Sequence, residues 1–194
     1  MENFLTEQIK KSIDLKSSIL EDKAMINQIL EVSEKLIEAY RAGNKTLIAG
    51  NGGSAADAQH LAGEFVSKFY FDRPGLPSIS LSTDTSVMTA IGNDYGFENL
   101  FARQVQANGV KGDFFIGLST SGNSPNMLKA LEECHKKEIM SFGLTGESGG
   151  KMAELCDYCI KVPSAETPRI QESHIMIGHL LCSIVEEAIF GSGF

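Results

Sequence analysis

The chain has 194 residues, 42% of them apolar, and this length and composition are typical of one soluble domain with a substantial core. Its formal net charge is −8, from 25 acidic and 17 basic residues, which excludes nonspecific binding to nucleic-acid phosphates as an expected function. We also expect neither a membrane span nor export, because no apolar run approaches the ~20 residues that cross a bilayer and Met1–Lys11 has no leader pattern. The predicted compartment is the cytoplasm.

The N-terminal segment has the apolar spacing of amphipathic helices. Ile29, Leu36 and Tyr40 recur at helical intervals among abundant Lys and Glu. The pattern predicts two helices that are broken near Glu21–Lys23 and ended by Gly43. No change in composition is stronger than the one near this glycine, so we predict a helical extension at residues 1–43 and a main domain at residues 44–194.

Short apolar strands alternate with helices after residue 43, and this alternation indicates a parallel sheet covered on both faces. The five predicted strands are Thr46–Ala49, Ser78–Leu81, Asp113–Leu118, Met140–Leu144 and Tyr158–Val162. A last long helix, from about Arg169 to Phe190, has an apolar surface broad enough to be buried on more than one side. We expect it to form a bundle with the N-terminal helices, within one subunit or between subunits, and oligomerisation follows as a hypothesis.

The first candidate ligand loop is a glycine turn, Gly50-Asn51-Gly52-Gly53-Ser54, between a strand and a helix. Glycines there let the backbone approach a ligand closely, and the free N–H groups at the start of the helix favour an anion such as phosphate. The same helix presents His60 and Glu64 four residues apart on one face, where they can hold a metal ion or transfer a proton. These residues predict that the ligand is a phosphorylated small molecule and that a reaction at one of its carbon atoms takes place beside the phosphate site.

The second candidate loop follows the third predicted strand and runs from Ser119 to Ser124. Its hydroxyl groups supply donors for phosphate oxygens without a fixed cation, and Ser124 and Pro125 are typical of an N-cap and a first helical position. An ordinary polar turn is the alternative. Because both loops open at the carboxyl edge of a parallel sheet, the ligand site is favoured. Neither loop has a dinucleotide or nucleoside triphosphate motif, so those ligands are disfavoured.

The last helix holds a third group of candidates around His179. At about 100° per residue, His179 lies about 80° from Gln171 and about 20° from Glu172 around the helix axis, while His174 points away. Spacing leaves open which of the two shares a site with His179. Two helical turns, about 12 Å, lie between, so joint metal ligation needs side chains that lean toward each other or come from different subunits. A Glu/His pair that moves a proton between adjacent carbons of a sugar phosphate would make an aldose–ketose isomerase, and zinc there would hold the substrate oxygens.

Three other residues have ordinary structural explanations. His135 stands among charged residues at a predicted helix end, where we expect it to be solvated. Cys156 and Cys159 form a C-x-x-C pair that is compatible with redox or zinc chemistry. The surrounding pattern of a short turn and a strand favours small buried thiols instead.

Taken together, these motifs identify a resemblance over nearly the whole chain to the sugar isomerase (SIS) domain family, and in particular to its sedoheptulose-7-phosphate isomerase branch. The elements that carry it are Gly50-Asn51-Gly52-Gly53-Ser54, the His60/Glu64 pair, Arg73-Pro74-Gly75, Gly92-Asn93-Asp94-Tyr95-Gly96, Ser119-Thr120-Ser121-Gly122-Asn123-Ser124, Leu144-Thr145-Gly146 with Gly149-Gly150, and Arg169-Ile170-Gln171-Glu172 leading to His179.

The resemblance implies an α/β protein with a flavodoxin-like αβα sandwich, a homotetramer with sites at subunit interfaces, and a cytoplasmic enzyme. It implies conversion of sedoheptulose 7-phosphate to D-glycero-D-manno-heptose 7-phosphate by an enediol-type proton transfer. This would be the first step of ADP- or GDP-heptose precursor synthesis for surface polysaccharide, whether lipopolysaccharide, capsule or S-layer glycan.

The resemblance also implies the roles of individual residues. His60, Glu64, Gln171 and His179 match zinc ligands, and Glu64 and His179 match the acid/base pair. A zinc-bound carboxylate is a weaker base than a free one, so Glu64 fills both roles only if one oxygen stays free or the metal is loosely held. The residues implied to bind substrate are Asn51, Gly52, Gly53, Ser54, Glu64, Asn93, Asp94, Ser119, Thr120, Ser121, Ser124 and Gln171.

Two noncatalytic functions compete with the enzyme. One is a SIS protein that bridges partners, similar to the factor that assembles the bacterial replication initiator DnaA, which lacks the carboxylate and histidine at the positions of Glu64 and His179. Both are present here, which favours the enzyme. The other is a sugar-phosphate sensor, which is disfavoured because no DNA-binding segment accompanies the domain.

Overall fold

The computed structural model describes residues 1–192 and has one central parallel sheet of five strands. The strands are β1 (Thr46–Gly50), β2 (Ser78–Ser80), β3 (Phe114–Leu118), β4 (Met140–Thr145) and β5 (Tyr158–Lys161). Their spatial order is β2-β1-β3-β4-β5, which is the flavodoxin-like order. All five predicted strands and the predicted fold class are confirmed.

Helices cover both faces of this sheet. They are α1 (Glu2–Glu21), α2 (Lys23–Arg41), α3 (Gly53–Val66), α4 (Thr85–Tyr95), α5 (Leu100–Asn108), α6 (Pro125–Lys136), α7 (Met152–Leu155) and α8 (Thr167–Phe190), with a 3-10 turn at Phe97–Asn99. Alternate residues of β1 pack on opposite faces: Ile48 lies in the cluster with α2, α3 and α8, and Leu47 lies in the cluster with α5 and α6. Both faces of the strand are therefore buried, as its continuous apolar sequence predicts.

The break between α1 and α2 is made by Asp22. Its side chain accepts a hydrogen bond of 3.0 Å from the N–H of Met25, which caps the start of α2. At the other end of α2, Gly43 has φ +83°, a conformation that glycine adopts without steric cost. Both predicted helix boundaries are confirmed.

Helix α8 packs with the N-terminal helices inside the one chain. Val32 and Leu36 of α2 share a buried cluster with Ile177 and Leu181 of α8. By length and composition α8 is long and apolar enough to span a membrane, against the expectation from the apolar runs. The core helix of a globular domain passes the same test, because it is apolar on several sides, and Ile177 and Leu181 are buried inside this fold. The division into residues 1–43 and 44–194 stays a prediction.

The sheet brings the two candidate loops together. In the register of the central strands, Gly50 at the end of β1 lies beside Leu118 at the end of β3, and Leu118 lies beside Leu144 of β4. The chain leaves all three strands at the same edge. The loops that follow β1 and β3 are therefore neighbours at the carboxyl edge, where open α/β sheets bind ligands.

Candidate active site

The glycine loop after β1 turns sharply into α3. Gly52 has φ +57°, and the N–H groups of Ser54 and Ala55 donate to the carbonyls of Asn51 and Gly52. A side chain at Gly50 would overlap the carbonyl of Ser54, so only glycine allows this tight turn. At the N-terminus of this 14-residue helix a ligand can therefore come close to the backbone, as expected for an anion site.

The serine loop after β3 is held in place by its backbone. Gly122 has φ +64°, and its N–H donates to the carbonyl of Ser119. Ser124 is the N-cap residue of α6 and Pro125 is in its first turn, as the sequence predicts. The Ser124 hydroxyl, however, does not cap the helix; it lies 3.2 Å from the Ser119 hydroxyl. The two hydroxyl groups thus form a pair at the start of the helix, beside exposed Ser121.

The two loops are joined by a pair of amides. Asn51 Nδ2 donates to Asn126 Oδ1 at 3.0 Å, and Asn126 Nδ2 donates to Asn51 Oδ1 at 2.9 Å. Asn126 is only 2% exposed and lies in the first turn of α6. This reciprocal pair fixes the spacing between the loops.

A cluster of His60, Glu64 and His179 lies between α3 and α8. His60 Nε2 is 3.2 Å from Glu64 Oε1 and 2.8 Å from His179 Nε2. The helices come this close because α8 has Gly178 beside α3, where a Cβ would lie 2.6 Å from Leu61. The structure therefore brings three of the predicted ligands together within one chain.

The electrostatics of the cluster favour a neutral imidazole. Burial and the adjacent His60 lower the pKa of His179, while the carboxylates of Glu64 and Asp57 oppose this shift. Burial also raises the pKa of Asp57, against the effect of the two histidines. A neutral His179 is the form that accepts a proton or binds a metal.

The donor set fits a divalent metal. Within residues 1–192, His60, Glu64 and His179 are the one group of His, Cys, Asp and Glu side chains whose ligand atoms all lie within 4.8 Å of one another. Two imidazole nitrogens and a carboxylate form a typical three-ligand catalytic zinc site. Asp57 Oδ2, one turn before His60, is buried and has no hydrogen-bond partner in the described part of the chain. Such an atom suits a site where a cation or substrate supplies the missing partner.

The structure separates Gln171 from Glu172. A Cβ at Gly53 would lie 2.7 Å from Gln171 Nε2, so the Gln171 amide lies against the glycine loop. Glu172 faces α1, where it accepts a hydrogen bond of 2.7 Å from Ser12 and pairs with Arg169 at 2.8 Å. Gln171 is therefore beside the loop predicted to bind substrate, two helical turns along α3 from His60. Its sharing of a metal with His179 stays a prediction.

Two predicted substrate residues belong to α4 and not to the loops after β1 and β3. Asn93 and Asp94 are exposed near the end of α4, where Asn93 Nδ2 donates to Asp94 Oδ1 at 2.8 Å. Among the described residues, α4 has no buried member. One chain alone therefore leaves the role of these two residues a prediction.

The other histidines and cysteines have structural surroundings. His135 is exposed near the end of α6, as expected. His174 is fully buried, and its Nε2 lies 3.1 Å from the carbonyl of Thr145. Cys156 and Cys159 are free thiols whose sulfur atoms both lie close to Gly143, and burial raises the pKa of both. The cysteines belong to no metal cluster within residues 1–192.

Four residues in or around the site escaped the sequence analysis as individual site residues. Asp57 and Glu186 each stand seven positions from a named candidate, Glu64 and His179 respectively, and this helical spacing was the available signal. Arg73 was noted only within a motif, although its guanidinium pairs with Glu186 at 2.9 Å. Asn126 carried no signal, because its partner is 75 residues away.

Comparison with known proteins identifies the family of the chain. A family model described as SIS domain matches residues 9–146. The chain is 66% identical to the phosphoheptose isomerase of Aneurinibacillus thermoaerophilus, over 100% of this chain and 98% of that one. It is 67% identical to phosphoheptose isomerase 2 of Campylobacter jejuni, over 100% and 96% of the two chains. The structure of phosphoheptose isomerase GmhA from Neisseria gonorrhoeae superposes with a TM-score of 0.90 at 37% identity, over 96% and 98%. The chain therefore belongs to the SIS domain family and, within it, to the phosphoheptose isomerases.

Proposed function

We propose that this protein isomerises sedoheptulose 7-phosphate to D-glycero-D-manno-heptose 7-phosphate. The observation that carries the proposal is the convergence of His60, Glu64 and His179 between α3 and α8, the two helices that also bring Gln171 against the glycine loop. Full-length relatives named phosphoheptose isomerase support the same substrate class.

The two loops bind the substrate. Ser119, Thr120, Ser121 and Ser124 donate to the phosphate oxygens, with help from the N-terminus of α6. Neutral donors suit a ligand that must also leave after each turnover. The remaining substrate contacts in this proposal come from Asn51, Gly52, Gly53, Ser54, Asn93, Asp94 and Gln171.

Glu64 and His179 move the protons of the reaction. A base removes a proton from C1 of the ketose, and the carbonyl oxygen at C2 takes up a proton, which gives an enediol. Return of a proton to C2 and loss of the proton on the C1 oxygen then give the aldose. Glu64 Oε1 is the oxygen that approaches His60, which leaves Oε2 for the substrate.

His60, Glu64, Gln171 and His179 hold zinc in this proposal. The two imidazole nitrogens and the carboxylate are the ligand types that zinc prefers, and the unpartnered oxygen of Asp57 lies on the same face of α3. When bound, the ion supplies positive charge that holds the substrate oxygens and stabilises the enediolate.

The protein acts as a cytoplasmic homotetramer whose product feeds heptose synthesis for surface polysaccharide. Five apolar residues of α1 are exposed in the single chain and support association through this helix: Phe4, Leu5, Ile9, Ile13 and Leu20. The polysaccharide is lipopolysaccharide, capsule or S-layer glycan. The DnaA-bridging alternative is disfavoured, because Glu64 and His179 are both present and converge on His60.

Turnover of sedoheptulose 7-phosphate by the purified protein tests the function. Aldose product is followed by NMR, without addition, after treatment with a chelator, and after zinc is restored. We expect product formation, a decrease with the chelator and recovery with zinc. Activity that the chelator leaves unchanged contradicts the metal, and a folded oligomer with no turnover in any metal state contradicts the isomerase.

A further inference from the structure

A buried carboxylate lies on α8 two turns after His179. Glu186 is 1% exposed and accepts hydrogen bonds from the N–H groups of Phe69 at 2.7 Å and Tyr70 at 2.6 Å, and from Arg73 Nε at 2.9 Å. Burial alone would raise the pKa of Glu186, but these hydrogen bonds lower it overall, so the group is ionised at neutral pH. The carboxylate thus joins α8 to the segment that follows α3.

The other end of this ion pair holds the end of α3. Arg73 Nη2 donates to the backbone carbonyl of Glu64 at 2.9 Å, and Nη1 donates to the carbonyl of Phe65 at 2.6 Å. Carbonyls in the last turn of a helix have no partner within the helix, so a side chain that reaches them fixes the position of that turn. One guanidinium thus contacts the backbone of Glu64 and the helix that bears His179.

We propose that Arg73 and Glu186 are positioning residues that fix Glu64 relative to His179 for the isomerase reaction, an inference that rests on the proposed function. We call this pair the Arg73–Glu186 clamp. The two residues of the acid/base pair stand on different helices, 115 residues apart in the chain. Proton transfer depends steeply on distance, and a displacement of about 1 Å from a remote change can lower a rate about 100-fold.

Stability alone gives a poor account of the clamp. A buried ion pair often contributes no more than apolar residues of the same volume, since both charges lose their hydration. The fold also contains a comparison pair far from the site: Asp113, 0% exposed, accepts from the backbone N–H groups of Lys45 and Val110 and pairs with Lys45 Nζ. Its bonds end on no residue of the acid/base pair.

Glu186→Gln and Arg73→Lys test the clamp, with Asp113→Asn as the matched control. Glu186→Gln and Asp113→Asn each remove the charge of one buried carboxylate that accepts two backbone N–H groups and one cation. Arg73→Lys keeps the charge but cannot place donors on the carboxylate and both carbonyls at once. We expect kcat for sedoheptulose 7-phosphate to fall about 10- to 100-fold in both clamp variants, with KM within about threefold.

The control separates positioning from stability. Asp113→Asn should lower the melting temperature and keep kcat within about twofold when assayed below that temperature. The clamp is overturned if Glu186→Gln and Arg73→Lys keep normal kcat, or if Asp113→Asn loses as much kcat as Glu186→Gln. Should Glu186→Gln fail to fold, Arg73→Lys decides, because it retains the charge pair.

The clamp can also be tested if the unsubstituted protein proves inactive. If the unsubstituted protein does not turn over sedoheptulose 7-phosphate, the proposed function fails, and crystal structures of this protein and of the Glu186→Gln or Arg73→Lys variant test the clamp separately. An increase of the distance between the Glu64 carboxylate and the His179 imidazole, whose ligand atoms lie within 4.8 Å of each other here, supports the clamp. An unchanged distance overturns it.

Discussion

The two edges of the sheet use the same polar residue types in different ways. At the amino edge, where the strands begin, Asp113 accepts hydrogen bonds from Lys45 and Val110. Asp157 accepts hydrogen bonds from the N–H and the hydroxyl of Ser141. Both carboxylates accept from donors within the protein and hold adjoining loops to the starts of β3 and β4. Asp113 is fully buried, where a charge needs such partners, and Asp157 is exposed.

At the carboxyl edge and in the start of α3, polar groups have fewer partners. Asp57 Oδ2 is buried without a partner among residues 1–192, and the hydroxyls of Ser119 and Ser124 bond only to each other in that part of the chain. An unsatisfied buried group costs free energy, so the Asp57 oxygen suits a place where a ligand supplies the partner. The comparison teaches that the carboxylates of the amino edge are held by the protein's own donors, whereas the other edge keeps a buried acceptor free.

Removing the acid/base groups should produce the largest effect. Glu64→Gln and His179→Gln leave similar volumes but cannot transfer the proton, so we expect kcat to fall about 10³-fold while the oligomer stays folded. NMR of the aldose product and size-exclusion chromatography measure the two properties. His135→Gln, on an exposed turn of α6, is the control and should keep full turnover. Near-normal turnover in either site variant contradicts the assigned roles.

A substitution at the amino edge should lower stability and leave activity unchanged. Asp113→Ala leaves Lys45 with no carboxylate, and we expect the free energy of unfolding to fall by about 3 kcal/mol with kcat unchanged. Urea unfolding at fixed protein concentration measures the first quantity, since association also affects stability. A large loss of kcat well below the melting temperature would mean that the edges are not independent.

Buried His174, which is hydrogen-bonded to the carbonyl of Thr145 at the end of β4, should make stability depend on pH. Burial lowers its pKa to about 4 from the usual value of 6.5, against the effect of its hydrogen bond to Thr145. Between these values the unfolded chain binds the proton more readily, so stability is full above the unfolded pKa and decreases as the pH falls. The loss should reach about 2 kcal/mol near pH 5.

His174→Gln isolates this effect, because glutamine does not titrate and can still donate to Thr145. In this variant, the difference in the free energy of unfolding between about pH 7 and about pH 5 should be smaller by about 2 kcal/mol than in the unsubstituted protein. An unchanged pH dependence in the variant would assign the acid sensitivity to other groups.

The smallest effect is expected in the serine loop. Ser121→Ala removes one hydroxyl from the exposed loop, and the loss of one phosphate donor should raise KM by a factor that corresponds to about 1–2 kcal/mol, with kcat nearly unchanged. Steady-state kinetics measure both constants, and Ser18→Ala on exposed α1 is the control. A KM equal to that of the unsubstituted protein counts against this loop as the phosphate site.

Much of the fold was predictable because its signals are local. Apolar runs such as the one that forms β3 need only neighbouring residues, and the helix break at Asp22 follows from its own side chain. The glycine and serine loops were predictable for the same reason. The hydroxyl of Ser124 was an exception, since it pairs with Ser119 rather than with the first turn of α6.

The sequence by itself determined the sheet and the two loops, and it named His60, Glu64 and His179 as candidates for one site. The tertiary structure decided which neighbours those groups have. Gln171 and Glu172 are equivalent candidates by spacing, and only the packing of α8 sends one to Gly53 and the other to α1. The Arg73–Glu186 clamp was likewise beyond local signals, because its residues are 113 positions apart and meet only where α8 crosses the end of α3. Periodicity is a property of adjacent residues, whereas a contact between distant residues depends on how every intervening element packs.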